Sequence, residues 1–240
     1  LTDGLAALPA SGHRRKTATI HGFGAPDGFG AHGARWGRGG ARFMRPASRL
    51  VGVRSHPLRF CSTCGQPVTL RVPEGDTRSR YCCDHCGTIH YANPRPVVGT
   101  IPVWKGQILL CRRAIEPRLG YWTLPAGFME LGETTHEGAL RETLEEAGAR
   151  VALGPLYTMI DVPHVEQVHI YFRAELLDLD FAPGTESLEV RLFDEPAIPW
   201  PEIAFRTVST TLQLYFADRA RGAFGTHTRQ LAPASAPPAR

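Results

Sequence analysis

No stretch of this 240-residue chain approaches the roughly 18 consecutive apolar residues that a membrane-spanning helix requires, so no membrane association is expected. Acidic side chains are almost missing from its first 60 positions, where Asp3 and Asp27 stand against ten lysines and arginines. The rest of the chain reverses that balance, with 17 basic against 21 acidic residues, so the formal charge of +4 belongs to the leader and the body is mildly acidic. The leader also lacks any sustained apolar period and holds 11 of the 25 glycines, which predicts disorder because it has little to bury. Its Arg-rich, acid-poor composition resembles an organelle transit peptide. Against that stand a lack of serine enrichment and a first residue that is Leu, and an unstructured extension or a mis-assigned start fits the composition as well. What remains, 42% hydrophobic and 21% charged over the whole chain, is ordinary for a soluble globular protein.

Cysteine is scarce but patterned. Six occur, and four of them, Cys61-Ser-Thr-Cys64 and Cys83-Asp-His-Cys86, make two C-x2-C pairs separated by eighteen residues. Such pairs place two thiolates on one side of a tight turn, and Gly65 and Gly87 follow each pair where the turn needs them. Two turns of this kind supply the four sulfurs that structural Zn²⁺ prefers, and the short segment has no core of its own to fold around. Cys82 is a neighbour that spacing disfavours as a ligand, and Cys111 lies in an apolar run as a buried small residue. Disulfides are the competing reading, and the paired spacing in a cytoplasmic setting favours zinc. A cytoplasmic location is therefore expected, with organelle targeting left open by the leader. The chain divides into a disordered or targeting-like leader (1–56), a zinc ribbon (57–94), a main domain (95–224) and a loose Ala- and Pro-rich tail (225–240).

The main domain carries its chemistry in residues 127–148. Thr134 and Glu137 form a capping box that starts a helix, and Gly148 sits where a left-handed C-terminal residue ends one. Glu142, Glu145 and Glu146 fall at i, i+3 and i+4, so three carboxylates share one helix face. Alone they repel, whereas a divalent cation with a preference for oxygen, Mg²⁺ or Mn²⁺, makes the cluster favourable. A solvated acidic helix face is the bland alternative. Around this helix, residues 96–104 and 107–111 predict two strands joined by a Lys105-Gly106 turn. Residues 150–161, 165–177 and 188–194 predict further strands. Val208, Leu212, Tyr215 and Phe216 give a helix over 202–221 its core-facing stripe.

The spacing Gly127, five residues, Glu133, seven residues, Arg141-Glu142, two residues, Glu145-Glu146, one residue, Gly148 resembles the Nudix box, departing only at Thr143 and Ala149, where large aliphatic residues are usual. The resemblance implies an α/β protein, a Nudix α/β/α sandwich with a mixed sheet, that hydrolyses a diphosphate linkage with Mg²⁺ or Mn²⁺. It implies that Glu142, Glu145 and Glu146 hold the metal while Glu133 and Arg141 orient them, and that Glu186 or Glu189 supplies a further base or ligand. Arg112 and Arg113 end a strand leading towards the box and are candidates for substrate phosphate. Trp122, Phe128 and Trp200 are candidates for stacking on a base, with burial in the core as the other outcome.

From Phe60 to about Thr228 the chain is similar to zinc-ribbon Nudix proteins of the FAD and ADP-ribose pyrophosphatase type. The matching stretches include Leu109-Leu-Cys-Arg-Arg and Phe181-Ala-Pro-Gly-x-Glu-Ser-Leu-Glu189. FAD or ADP-ribose, releasing AMP, is the expected substrate. The NADH pyrophosphatases also join a zinc ribbon to a Nudix box, but their Ser-Gln-Pro-Trp-Pro-Phe-Pro array after the box is absent from residues 149–166, which makes NADH or NAD the alternative. A small-molecule dinucleotide or nucleotide-sugar partner is thus expected. Homodimers are frequent in the resembled family. Two readings of another class are a non-catalytic nucleotide sensor, against which the intact glutamate set argues, and a nucleic-acid-binding zinc ribbon, against which the missing basic face of residues 61–94 argues.

Overall fold

The computed structural model describes residues 57–233; the leader 1–56, with the disorder and targeting expected of it, lies outside the described residues, as do residues 234–240. The chain first forms a three-stranded antiparallel sheet of β1 (Thr69–Arg71), β2 (Arg80–Cys82) and β3 (Ile89–His90). These strands are two or three residues long, and Phe60, Leu70, Val72 and Tyr91 around them are exposed, so apolar packing contributes little here.

An eight-stranded mixed sheet follows. It contains β4 (Arg95–Trp104), β5 (Gln107–Arg113), β6 (Trp122–Thr123), β7 (Ala126–Phe128), β8 (Val151–Val162), β9 (Gln167–Leu176), β10 (Ser187–Phe193) and β11 (His227–Gln230). Its order is β10-β5-β4-β9-β8-β11, with β6 added to β5 and β7 to β4. The pairs β4–β9 and β8–β11 are parallel and the others antiparallel. Two helices, α1 (Thr135–Ala147) and α2 (Arg206–Arg221), cover its two faces. Alternation along β5 shows the sandwich: Ile108 and Leu110 join Val208, Leu212, Tyr215 and Phe216 of α2, while Leu109 and Cys111 join Ala147 at the end of α1. With both faces covered, β4 and β5 read as continuous apolar runs rather than as alternating ones.

Helix α1 begins and ends where its capping residues place it. Thr134 Oγ1 accepts from the Glu137 amide, Glu137 answers the Thr134 amide, and Gly148 closes the helix at φ 60°. Helix α2 starts four residues later than its apolar stripe suggests. Trp200–Glu202 makes a short 3₁₀ turn, and Phe205 is extended at φ −131° and ψ 140° as the residue before the helix. The tail also differs from expectation: His227–Gln230 pairs in parallel with Thr158–Asp161 of β8 instead of hanging loose. Asp218, buried near the end of α2, fixes this strand by accepting from His227 Nε2 at 2.7 Å and from the Tyr157 hydroxyl at 3.0 Å. No helix among the described residues is long and apolar enough to cross a membrane.

Candidate active site

Strand β7 and helix α1 lie against each other, and β7 passes close enough that a Cβ on Gly127 would stand 2.3 Å from the Glu142 carboxylate. A side chain there would push the Glu142 carboxylate aside, whereas glycine leaves it room against the backbone of β7. One residue earlier, the Ala126 amide donates to Glu146 Oε2 at 3.0 Å. An amide leaves no trace in side-chain sequence, so this anchor of Glu146 was out of reach of motif reasoning.

Arg141 is the hub of the cluster. Its Nε and Nη2 form a fork to the two oxygens of Glu133 at 3.0 and 2.8 Å, a bidentate geometry specific to guanidinium. Nη1 donates to Glu142 at 2.7 Å and to Glu145 at 3.0 Å, and Nη2 also reaches the Phe128 carbonyl at 3.1 Å. Glu133 is itself fixed by the Glu130 amide at 2.6 Å. The hydrogen bonds from Arg141 hold the Glu133 carboxyl well below the ordinary range, at about 2, so it stays ionised.

The other carboxylates shift the opposite way. Burial raises Glu142, and it raises Glu146 from 4.5 to about 7, with the Glu142 and Glu186 charges adding to the effect on Glu146. Two buried carboxylates side by side, with Glu145 on the same helix face, hold more negative charge than Arg141 alone balances. A divalent cation with oxygen ligands fits that donor set, because it supplies the missing positive charge where burial makes it most needed.

The remaining candidates separate clearly. Arg113 on β5 is near enough for its charge to oppose the rise at Glu146, while its Nε donates to the Pro117 carbonyl at 2.9 Å and its guanidinium lies over Phe205. Arg112 turns elsewhere, to the Gly120 carbonyl at 2.9 Å and to Glu189 at 3.8 Å. Glu186 acts electrostatically on both Glu142 and Glu146, whereas Glu189 faces Arg112 and Arg191. The register shift between Ser187 and Glu189 separates the two. Trp122 is 3% exposed, edge-on to Phe193 at 4.9 Å with Arg191 over its face. It is a core residue with no free face, which corrects its assignment as a substrate contact. Phe128 remains exposed, with Arg95 over its ring at 4.6 Å, and Trp200 packs edge-on to Phe216.

The cysteines form a second centre. The sulfurs of Cys61, Cys64, Cys83 and Cys86 lie within 4.8 Å of one another, with Cys61 to Cys86 at 3.6 Å and Cys64 to Cys83 at 3.5 Å. Four sulfurs around a tetrahedral Zn²⁺ with bonds of about 2.3 Å stand about 3.8 Å apart, so the donor set and spacing fit zinc. Each knuckle repeats one geometry: Gly65 and Gly87 both have φ 74°, and their amides donate to the Cys61 and Cys83 carbonyls at 2.9 Å. Cys82 points away, its sulfur 3.6 Å from the Arg80 carbonyl.

Comparison with known proteins follows the same division. A family profile described as Nudix N-terminal, a zinc ribbon, matches residues 59–92, and one described as NUDIX domain matches residues 93–209. The protein named NAD-capped RNA hydrolase NudC from Stutzerimonas stutzeri is 30% identical over 203 residues, covering 78% of this chain and 70% of its own length. Its namesake from Klebsiella pneumoniae is 28% identical over 170 residues, 69% of this chain, and the chain spans only 63% of that relative. A crystal structure of a NUDIX hydrolase from Nitrosomonas europaea is 56% identical, with a TM-score of 0.71, covering 72% of this chain and 99% of the other.

Proposed function

This chain belongs to the Nudix family and is a pyrophosphohydrolase with an N-terminal zinc ribbon, and from that premise we propose that it cuts the diphosphate linkage of dinucleotides of the NAD(H) type with Mg²⁺ or Mn²⁺, releasing AMP. The carrying observation for the chemistry is the buried pair Glu142 and Glu146, raised by burial and fixed by Arg141 and the Ala126 amide. Glu142, Glu145 and Glu146 would hold the divalent ion, with Glu186 adding negative charge beside them. When bound, that ion supplies positive charge to the diphosphate oxygens and acidifies a water. Arg141 keeps Glu142 and Glu145 pointed at one place, and Glu133 keeps Arg141 there. Arg113, within electrostatic reach of Glu146, is suited to hold a substrate phosphate. Water adds across the P–O–P bond, giving AMP and the mononucleotide that was joined to it.

The substrate order is supported by the names of the relatives, NAD-capped RNA hydrolases, which favour NAD-linked compounds over the FAD and ADP-ribose expected from the sequence. FAD or ADP-ribose stays as a second reading because of one observation. Residues 151–162, where the Pro- and Trp-rich array of NADH pyrophosphatases is missing, form a strand in this chain, irregular in register on either side of Leu156. The deciding experiment measures AMP released from NADH, NAD, FAD and ADP-ribose with Mg²⁺ or Mn²⁺, beside a chelator control. Metal-dependent AMP with NADH or NAD used best supports the proposal, and FAD or ADP-ribose used best promotes the second reading. No AMP from any of the four overturns both.

A further inference from the structure

Three buried polar side-chain atoms have no hydrogen-bond partner among the described residues: Arg95 Nη2, His169 Nδ1 and Thr207 Oγ1. Buried polar groups are paired in the great majority of cases, so three in one region need a physical reason. β4 and β9 run parallel with Arg95 opposite Gln167, Val97 opposite His169 and Gly99 opposite Tyr171. Strand alternation puts Arg95, Gln167, His169 and Tyr171 on one face, the face whose Ile101 and Val103 pack with α2. Thr207, 4% exposed in the first turn of α2, faces the Tyr171 phenol without closing a hydrogen bond to it. The unpartnered atoms therefore lie along one strip.

The strip has a definite polarity. His169 Nε2 lies 2.9 Å from Gln167 Oε1, which can only accept, so Nε2 carries the proton and Nδ1 is left as a bare acceptor. Burial lowers the His169 pKa to about 4, so the ring is neutral near pH 7. Arg95 Nη2 can only donate. One end of the strip touches Phe128 of β7 and the other lies within electrostatic reach of Glu146. Arg95 covers the ring of Phe128, whose carbonyl accepts from Arg141, and the Tyr171 phenol feels the charges of Glu146 and Arg113. Gly127, one residue before Phe128, faces Glu142, so adjacent residues of the short strand β7 meet the carboxylates and the strip.

We propose that Arg95, His169 and Thr207 form a subsite that reads one base of the dinucleotide, recognising a planar group that presents an N–H donor beside an acceptor. In a dinucleotide two groups have that chemistry: the amino edge of adenine and the carboxamide of nicotinamide. The donor satisfies His169 Nδ1, the acceptor takes Arg95 Nη2, and Thr207 serves either. The choice of ligand rests on the proposed function, but the unpartnered atoms do not. A trapped water is the competing occupant, and it would make His169 matter for stability without making it matter for selectivity.

Calorimetric binding to the full chain, zinc-loaded and without added Mg²⁺ or Mn²⁺, separates these cases without turnover. The probes are AMP against purine riboside 5′-monophosphate, which lacks the amino group, and nicotinamide mononucleotide against nicotinic acid mononucleotide. The wild type is expected to prefer the amino or amide member of one pair by about tenfold or more, since the analogue leaves a buried group unpaired. Which pair responds identifies the base. His169→Leu is expected to erase that preference, and Thr207→Val, should the first variant fail to fold, to reduce it. In turnover the same variants should raise KM for the amino or amide substrate more than they lower kcat. A wild type that discriminates neither pair, or a preference unchanged in both variants, overturns the subsite. Preference in binding without hydrolysis of any dinucleotide would instead reject the proposed activity and leave the subsite standing.

Discussion

The two metal-suited regions of this chain are built in opposite ways. In the ribbon, strands of two and three residues leave little buried besides sulfur: Cys61 and Cys83 are at most 3% exposed and Cys64 is half-buried, while Cys86, Leu70 and Phe60 lie open. In the loop and helix of residues 126–148, Glu133, Glu142, Glu145 and Glu146 are each tied down by protein alone, through Arg141, the Ala126 amide or the Gly127 contact. Without its ion the first region has no core, whereas the second keeps its shape and merely carries excess charge. A metal can thus be the fold in one part of a chain and a guest of the fold in another. The number of buried apolar neighbours decides which.

The sharpest way to break this comparison is to remove one sulfur. Cys61→Ser is expected to lose stoichiometric zinc and to open residues 57–94 to proteases, since metal binding of this kind supplies on the order of 10 kcal/mol of folding free energy. Metal analysis and limited proteolysis would check it. A variant that keeps both its zinc and its protease resistance would show that the ribbon does not depend on the site. The matching change in the other region is Glu146→Gln, which keeps an acceptor for the Ala126 amide while removing the charge. Turnover should fall by about 10²-fold or more, the scale of one lost electrostatic contact in the transition state, with thermal stability unchanged or higher in chelator. Full activity in that variant would remove Glu146 from the metal site.

What the sequence revealed divides along the same physical line. The capping box at Thr134, the stop at Gly148 and the shared face of Glu142, Glu145 and Glu146 depend on spacings within one helix, so pattern alone exposes them. The pairing of Cys61, Cys64, Cys83 and Cys86 is legible because each knuckle is a local turn. Trp122 was not legible as core, because Phe193 and Arg191 that enclose it arrive from β10, some 70 residues on. Glu186 and Glu189 could not be ranked because a register shift in β10 sets their directions. His227-Thr-Arg-Gln carries no apolar alternation, and its strand exists through β8 and the buried Asp218 rather than through its own composition.

The smallest and most diagnostic effect lies in pH. Burial raises Glu146 from an ordinary 4.5 to about 7, so the folded protein holds that proton more tightly than the unfolded chain does. The stabilisation from a neutral, buried Glu146 is complete below about pH 4.5 and is lost as pH rises through about 7, which removes up to about 3 kcal/mol from the metal-free protein across that window. A divalent ion competes with the same proton, so it binds poorly at the acidic end and offsets the buried charge at the other. Thermal unfolding with and without added Mg²⁺ should therefore differ little at pH 5 and by several degrees at pH 8, and Glu146→Gln should abolish that widening gap. A Mg²⁺-dependent gap of equal size at both pH values in the wild type would mean that the ion does not replace the Glu146 proton, and the carboxylate site would then have to be centred on Glu145 and Glu142 alone.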